Sequence, residues 1–426
     1  MTPQSTFMVA AAVRPDREQD LRALLEAMNL EPGQVDPANP MLPFARYDRL
    51  HVARFVILRD DTLGDLAAYD TALPDAPVWL VFLGDCDGAG DDMLAQFART
   101  AEPGLRQIFA HCEAPPGDDM LAWMRRHAVS PAAQYVNWYG RTVCQIREEA
   151  ALRGFLRDSL AEIGPLAVQP ATSLRRHLAE AARRGGPPLS PPAATPPGWR
   201  LQRLLWLART LLIGVLLSPL LLLSPLLLWL LRARERADPV IAPPPTPAHV
   251  ATLSRLEDHD VSNPFSAFGS VKPGRFRLWT LLLVFRTLEF GTRFIYTRGR
   301  LARVGTIHFA RWVFLDNRRR LLFASNYDGS LDSYMDDFIN KAAFGLNLVF
   351  SNGVGWPRTR FLLFGGAERE QEFKHYLRRH QVPTQVWYKA YPGLTAAELA
   401  TNTRIREGLE RARMSESEAR QWLALI

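Results

Sequence analysis

Apolar positions along the first 163 residues predict an ordered series of strands and helices. β-Branched and aromatic residues cluster in short strand-like runs, and leucines at helical spacing mark the helices between them. The predicted strands are 7–13, 51–58, 78–83, 105–112 and 135–140, and the predicted helices are 16–28, 91–99, 118–127 and 147–163. The order β-α-β-β-α-β with one additional α-β pair is that of a ferredoxin-like unit.

The same series of elements is predicted again after residue 263. The second set of strands is 265–271, 308–315, 321–325, 360–366 and 384–391, and the second set of helices is 276–296, 330–344, 368–380 and 395–413. Short landmarks recur in the same order in both series. They pair Val13-Arg14-Pro15 with Val271-Lys272-Pro273, 50–58 with 307–315, Asp87-Gly88 with Asp328-Gly329, Arg125-Arg126-His127 with Arg378-Arg379-His380, and Trp138-Tyr139 with Trp387-Tyr388. These ordered matches predict an internal duplication.

The duplication predicts an α+β fold with repeats at 1–163 and 263–426. One ferredoxin-like unit leaves a sheet face uncovered, and two units in one chain can cover each other in a barrel. This arrangement resembles the dimeric α/β-barrel superfamily, which includes dye-decolorising peroxidases, chlorite-dismutase-like proteins and small monooxygenases. The resemblance covers most of the chain outside 164–262. It is a likeness of topology, and function has to be argued from a site.

The insertion at 164–262 differs in composition from both repeats. Proline-rich linkers at 187–197 and 239–247 flank an apolar segment at 204–231, which carries no charge from residue 210 onward. A helix of 22 residues is about 33 Å long, enough for a bilayer core of about 30 Å. A single crossing would, however, place the two repeats on opposite sides of the membrane.

Pro219 and Pro225 interrupt the apolar segment and predict two short limbs, 205–217 and 226–231. We therefore expect an apolar helical hairpin that enters one leaflet and returns. A kinked single span and a buried hairpin in a soluble protein are the alternatives. Arginines on both sides of the segment suit an anionic cytoplasmic membrane face. The apolar helix 276–296 fits the interface, and packing between domains is its alternative.

Overall composition narrows the classes of partner. The formal net charge is +7, but nearly all the basic residues are arginines scattered through the chain, so nucleic-acid binding is not expected. Three cysteines without a CxxC spacing predict neither a disulfide framework nor a zinc site. The first residues lack the pattern of a secretory signal.

The residues that differ between the repeats are the candidate site. Arg54 with Asp87, and Arg311 with Asp328, are expected as ion pairs within each sheet, and His51 and His308 as hydrogen-bonded core histidines. Polar groups gather only in the second repeat, which predicts a pocket there. Its predicted ligand-binding residues are Asn326, Tyr327, Ser330 and Tyr334, with Asn352, Trp356 and Arg358 in a binding loop or lid at 351–359.

The peroxidase resemblance implies a haem site. Members of that family use an Asp in a GxxDG motif, a distal Arg and a proximal His, for which Asp328, Arg311 and His308 are the counterparts. The chain departs from the motif, because Ser325 stands where the first glycine belongs. His375 and His380 compete with His308 as the axial ligand.

The leading functional prediction is a membrane-associated protein that binds or processes a lipophilic or lipid-derived small molecule in the second repeat. Asp328 and Arg311 are its predicted catalytic residues. The alternatives are a haem-dependent peroxidase or monooxygenase-type oxidoreductase on the same scaffold, and a non-catalytic membrane adaptor. Membrane lipid is a predicted partner in each case, and a homo-oligomer stays open.

Overall fold

The computed structural model describes residues 3–163, 170–192, 194–301 and 303–426. It is a mixed α+β structure built on two four-stranded antiparallel sheets, as the apolar pattern predicts. The strands described are β1 (Gln4–Ala12), β2 (Asn29–Glu31), β3 (Gln34–Val35), β4 (Leu50–Leu58), β5 (Trp79–Asp87), β6 (Ala133–Val136), β7 (Ser262–Ser270), β8 (Ile307–Leu315), β9 (Arg320–Asp328), β10 (Thr359–Arg360), β11 (Phe364–Gly365) and β12 (Thr384–Lys389).

Helices pack on the outer faces of both sheets, and further helices, among them the exposed helix Pro197–Leu217, project from or lie beside this core. They are α1 (Glu18–Glu26), α2 (Gly90–Thr100), α3 (Glu102–Phe109), α4 (Met120–Arg126), α5 (Val143–Ile163), α6 (Ala171–Gly185), α7 (Pro197–Leu217), α8 (Ser224–Ala237), α9 (Pro247–Ser254), α10 (Arg275–Phe294), α11 (Leu331–Phe350), α12 (Glu370–His380), α13 (Ala396–Glu410) and α14 (Glu416–Leu423). Alternate residues of each strand point to opposite faces of its sheet. Phe7 and Val9 pack against the helices, while Met8 and Ala10 pack against the other sheet.

Each sheet contains one short strand from the other part of the chain. The first sheet has the order β1-β5-β4-β12, and the second has the order β6-β8-β9-β7. Thus β6, which precedes the insertion, pairs with β8, and β12, near the end of the chain, pairs with β4. The regions before and after the insertion are therefore interleaved.

Backbone hydrogen bonds also join the two sheets along both edges. The Val129 amide donates to the Met8 carbonyl over 2.9 Å on one side, and the Val382 amide donates to the Ser266 carbonyl over 2.8 Å on the other. His127 and His380, just before these amides, have matching environments. Each ring donates from Nδ1 to the backbone carbonyl four residues earlier over 2.9 Å, and each stacks on the aromatic ring of that same residue.

Two predicted strands and one predicted match are wrong. Residues 105–112 lie mostly in α3, because Leu105, Ile108 and Phe109 are buried at helical spacing behind a proline in the first turn. Residues 360–366 form no strand of either large sheet, since β10 and β11 pair only with each other. Trp387 pairs with Arg54 and Gln134 pairs with Arg311, so Trp138 is not the counterpart of Trp387.

The apolar segment forms one continuous helical region, Pro197–Ala237, of 41 residues. Its most apolar window has a mean hydropathy of 2.5, none of it is buried, and its length and composition suffice to cross a membrane. A six-residue 3-10 section, Ser218–Leu223, separates α7 from α8, with Pro219 and Pro225 each in a first turn. The 3-10 section thus falls at the prolines, as predicted, but α7 and α8 extend beyond the predicted limbs 205–217 and 226–231 in one long helical region.

Both ends of this segment contact the same helix. Trp206 on α7 stacks under the guanidinium of Arg286, which lies in the second half of α10, 4.1 Å from the ring centroid. Asp238, just after α8, bonds Arg277 at the start of α10 over 2.6 Å. Between these two contacts the leucines from Leu211 to Leu228 are exposed, up to 85% at Leu222.

Candidate functional site

Both histidines of the long strands stand at β-bulges. The β4–β5 register shifts between Leu50 and Val52, and the β8–β9 register shifts between Ile307 and Phe309. His51 and His308 are the residues skipped at these shifts. A bulge turns the extra residue away from the regular alternation, and bulges are common beside functional sites.

Each histidine is bonded to an aspartate at the end of the neighbouring strand. His51 Nε2 lies 3.0 Å from Asp87 Oδ1, and His308 Nε2 lies 2.6 Å from Asp328 Oδ1. The other carboxylate oxygen of each aspartate accepts a helix N-terminal amide, Val143 of α5 at 2.9 Å or Ala396 of α13 at 2.7 Å. A carboxylate is stabilised at such a position by the free N–H groups of the helix.

The two clusters differ in their third and fourth members. Gln4 Nε2 lies 3.3 Å from His51 Nε2, whereas in the second cluster Ser262 Oγ donates to Asp328 over 2.5 Å. Lys389 Nζ in turn donates to Ser262 Oγ over 2.6 Å. Burial lowers the pKa of Lys389 below its ordinary value. The second cluster is therefore a connected chain of lysine, serine, aspartate and histidine.

Burial sets the charge state of His308. It lowers the pKa of the imidazole despite the neighbouring Asp328 carboxylate, so at neutral pH the ring is neutral and donates through Nε2. Burial also opposes ionisation of Asp328, but bonds from His308, Ser262 and the Ala396 amide outweigh it and hold the pKa of that carboxyl below its usual range. Nδ1 of His308 forms no hydrogen bond with the described residues.

Tyr391 connects the two clusters. Its hydroxyl lies 3.2 Å from His51 Nδ1, and its ring centroid is 6.5 Å from that of His308. Burial raises the pKa of this phenol. A cavity of about 20 Å³ lies between the clusters, with both histidines, Tyr391 and Arg141 in its wall. This volume holds a water molecule or a small ion, so the arrangement offers acid and base groups but no room for an organic substrate.

The predicted ion pairs within each sheet are wrong, because both arginines reach across to the opposite sheet. Arg311 bonds the Asp85 carboxylate and donates to the Gly84 carbonyl over 3.1 Å. Arg54 donates to the Ser325 carbonyl over 2.8 Å and to Ser266. At the end of β9, Asp328 instead bonds His308 of the bulged strand β8. The predicted catalytic residues Asp328 and Arg311 are therefore not partners.

The predicted ligand-binding residues of β9 and α11 lie in packed surroundings. The Tyr327 and Tyr334 rings stack with centroids 3.9 Å apart, and both are buried. Asn326 is fully buried and accepts from the Phe309 amide over 3.2 Å. Ser330 is exposed and accepts from the Ser333 amide as the N-cap of α11. The structure brings these four side chains into the core and a helix cap, without a shared open pocket.

The predicted loop 351–359 lies at the other end of the second sheet. Asn352 accepts the Lys272 amide through its backbone carbonyl, beyond the end of β7, whereas Asp328 pairs with Ser262 at the start of that strand. Nine residues of strand separate these ends by about 26 Å. Trp356 is buried, and Arg358 donates to the Asp238 carbonyl over 2.8 Å. This loop is therefore anchored, and it is distant from the histidine clusters.

The residues around the candidate axial ligands do not fit haem. His308 uses Nε2 for Asp328 and faces the cavity of about 20 Å³, and His380 borders a cavity of about 30 Å³. Pockets for organic cofactors are typically several hundred Å³. His375 bonds Gln371 over 2.7 Å on the outer side of α12. These positions therefore support no haem-dependent reaction step.

Four buried groups of this region escaped sequence reasoning: Gln4, Arg141, Lys389 and Tyr391. None belongs to a recognisable motif. Gln4, Lys389 and Tyr391 become adjacent to the histidines through the pairing of β1 with β5 and of β12 with β4, and Arg141 through the start of α5, where the Val143 amide bonds Asp87. The sequence offers one feature that could have drawn attention to this region: Lys389 is one of only four lysines in the chain. No family model, no curated protein and no solved structure matches this chain.

Proposed function

We propose that the chain is a monotopic membrane protein built from two ferredoxin-like repeats that share one barrel. Helix α7, the 3-10 section and α8 are its anchor, and the barrel lies on one face of the bilayer. The proposal rests above all on the interleaving of β6 and β12, which pair with strands from the other side of the anchor in sequence. The matching histidine clusters support the duplication.

Interleaved strands disfavour a single crossing of the bilayer. An odd number of crossings would separate β4 from β12, although they pair over residues 52–56 of β4. Two complete crossings need about 20 apolar residues each. The uncharged part of the segment, 210–231, has only 22 residues. Shallow insertion into one leaflet keeps β4 and β12 on the same side of the bilayer, and it requires no complete crossing.

The contacts at its ends support a bent anchor. A straight helix would hold Arg203 and Asp238 more than about 50 Å apart, since they are 35 residues apart in sequence. Their partners Arg293 and Arg277 are 16 residues apart on α10, about 24 Å. Both contacts form most readily if the segment bends in its 3-10 section. The most exposed leucines, Leu221 and Leu222, then lie at the tip.

Apolar and basic residues surround the base of the anchor. Trp279 and Leu283 on α10 are 69% and 60% exposed, and a loop after α11 exposes Phe361 and Phe364. Exposed arginines flank the segment, where they suit anionic lipid headgroups: Arg200, Arg209, Arg234 and Arg236. A bilayer is the occupant that fits a projecting apolar tip with a basic base, and its cytoplasmic face is the anionic one.

Cysteine labelling in sealed vesicles tests the topology. The variants Arg200→Cys and Arg236→Cys, in a background with the native cysteines replaced, flank the anchor. We expect an impermeant maleimide to label both from the same side. Labelling of one site from each side would contradict the proposal.

Vesicle flotation tests the tip. Leu221→Asp with Leu222→Asp should reduce binding to vesicles that contain anionic lipid by at least tenfold, because two charges would enter the apolar region. Leu73→Asp with Leu30→Asp is the matched control, since both leucines are exposed on the first half of the barrel. Equal binding by the tip variant and the control would contradict the anchor.

A second candidate function, binding of a lipophilic small molecule, is favoured by a groove beside α10. The groove has a volume of about 590 Å³, within the range of ligand pockets, and is lined by Leu282, Phe285 and Phe314 with Arg286 and Glu289 at its edge. It adjoins the helix that contacts the anchor, so a lipid-derived molecule would reach it from the bilayer. In this proposal the ligand would lie beside α10 and away from Asn326.

Mass spectrometry of molecules that co-purify with the detergent-extracted protein tests this candidate. Leu282→Arg should abolish retention of an acyl-type ligand, whereas Leu278→Arg, one turn earlier on the same helix, should retain it. Absence of any retained lipophile from the native protein would leave the adaptor as the better description.

A further inference from the structure

Arg141 carries a buried positive charge without a bonded partner in the described part of the chain. Its side chain is 6% exposed, and its guanidinium lies 4.0 Å from the centroid of the Trp138 ring. The Nε and Nη2 atoms are enclosed and form no hydrogen bond with residues 3–163, 170–192, 194–301 or 303–426. Burial lowers the pKa of Arg141 to about 10, so the group is still charged at neutral pH.

The other buried arginines differ from Arg141 in this respect. Each of them donates to a carbonyl or carboxylate at hydrogen-bond distance, and they are Arg54, Arg175, Arg277, Arg311, Arg320 and Arg406. An unpaired buried charge is unfavourable by several kcal/mol. Arg54 and Arg406 each leave one nitrogen without a partner, but only Arg141 among these buried arginines has no bonded partner at all in the described residues, which points to a ligand that supplies the negative charge.

The carboxylates near Arg141 are already engaged. Asp87 is bonded to His51 and the Val143 amide, and Asp328 to His308 and the Ala396 amide. Glu149 accepts from Thr403 over 2.8 Å. No ion pair joins any of them to Arg141 among the residues described. Glu149 and Glu407 stabilise the Arg141 charge from a distance, but none of these carboxylates is bonded to the guanidinium at the positions that the structure describes.

Arg141 borders the cavity of about 20 Å³ between the histidine clusters. His308 and Tyr391 lie in the same wall, but neutral His308 carries its proton on Nε2 and the Tyr391 hydroxyl is paired with His51, so Arg141 is the group that would bind an anion. The scaffold itself does not need an arginine here. Thr142 and Val143 at the start of α5 correspond to Thr395 and Ala396 at the start of α13, so the counterpart of Arg141 is Leu394.

We propose that this cavity is a binding site for a small monovalent anion, held by the Arg141 guanidinium. The volume admits a halide or a planar oxyanion of three or four heavy atoms, such as formate or nitrate. A guanidinium edge with two free N–H groups matches two oxygens of such an oxyanion. Organic anions of larger size are excluded by the wall.

Thermal unfolding of the full-length protein in detergent tests the site. Nitrate, formate and chloride are titrated at constant ionic strength against gluconate, which is too large for the cavity. We expect a saturable rise in Tm of about 2 °C with the small anions and none with gluconate. An equal response to gluconate, or no saturable response to any small anion, would overturn the proposal.

Two variants and a matched control locate the effect. Arg141→Gln should abolish the rise in Tm, and Val136→Leu should do so by filling the cavity while leaving the charge in place. Arg298→Gln should keep the full response, because Arg298 lies over the same Trp138 ring at 5.8 Å but is exposed. A response that survives in Arg141→Gln would place any bound anion elsewhere. The titration of the native protein decides the proposal even if both cavity variants fail to fold.

Discussion

Arg311 of β8 forms a buried ion pair with Asp85 of β5, across the interior between the two sheets. Arg54 of β4 reaches in the opposite direction, but its partners are the Phe265 and Ser325 carbonyls and the Ser266 hydroxyl. Asn326 occupies on β9 the position that Asp85 has on β5. The interior thus has two guanidinium groups, and only that of Arg311 is bonded to a carboxylate. Burial lowers the pKa of Arg54 to about 9.

Asp85→Asn should destabilise the protein by about 3–5 kcal/mol, because it leaves the Arg311 charge buried without its partner. Urea unfolding followed by circular dichroism measures the change. Asp91→Asn is the control, since Asp91 and Arg125 form a pair of which both side chains are more than half exposed. The control should lose no more than about 1 kcal/mol. Similar losses of unfolding free energy in both variants would contradict the predicted cost of leaving Arg311 without its partner.

Asn326→Asp should stabilise the protein by about 1 kcal/mol at neutral pH. Its Nδ2 has no partner among the described residues, so an oxygen there removes an unsatisfied donor and offers Arg54 a carboxylate. Asn347→Asp is the matched control. Asn347 Nδ2 donates to the Leu363 and Gly365 carbonyls, and the same change should destabilise. Thermal unfolding of the two variants should shift Tm in opposite directions, and shifts of the same sign would contradict this account.

The long strands were predictable because their apolar residues alternate between two buried sides, as Phe7 and Met8 do. The exchange of β6 and β12 was not predictable. Tyr135 and Val386 would suit the edge of either sheet, and only the backbone path after α4 and α12 decides which sheet they join. Residues 105–112 were misread because a short apolar run fits a strand and a buried helix equally well.

The candidate site was harder to predict from the sequence than the fold was. The recurrence of His51 and His308 was visible, and their description as hydrogen-bonded core histidines agrees with the bonds to Asp87 and Asp328. The pairing of Arg311 was misassigned because its cross-strand neighbour is Ala324, four residues before Asp328, and because its side chain reaches Asp85 of the other sheet. Arg141 could not be singled out from the sequence. The proposal for this residue depends on its lacking a bonded partner among the described residues, and a sequence does not show that.

Stability should fall as the pH is lowered from 7.5 toward 5. Burial lowers the pKa values of His308 and His380, so the unfolded chain takes up protons near pH 6.5 while the folded histidines stay neutral. Each buried histidine contributes its full stabilisation above about pH 6.5. As the pH falls below this value, the free energy of unfolding decreases by up to about 1.4 kcal/mol per pH unit for each proton taken up. Tm values across this range should decline less steeply for His308→Gln than for the native protein. His259→Gln, at an exposed histidine, should leave the slope unchanged, and an unchanged slope in His308→Gln would contradict the assignment.

Glu235 near the end of α8 is 1% exposed and connects the anchor to the loop after α11. Oε1 accepts from Thr359 Oγ1 at 3.0 Å and the Leu362 amide at 2.8 Å, while Oε2 accepts from the Phe361 amide at 2.8 Å and Arg232 at 3.1 Å. Phe361 and Leu362 have φ values of 55° and 60°, a left-handed conformation that non-glycine residues adopt only when held. The carboxylate therefore fixes a strained loop that exposes apolar side chains beside the anchor.

Glu235→Gln should destabilise the protein by about 2–4 kcal/mol, since an amide nitrogen replaces one acceptor and leaves buried donors unsatisfied. Hydrogen exchange should show faster exchange at the Phe361 and Leu362 amides, with β4 and β8 unchanged. Glu180→Gln, in an exposed pair with Arg184, is the control and should change neither quantity. Because the released loop borders the anchor, binding to anionic vesicles should also weaken, though less than after the double aspartate substitution at Leu221 and Leu222. If Glu235→Gln kept both amides protected, the carboxylate would not be what holds the loop.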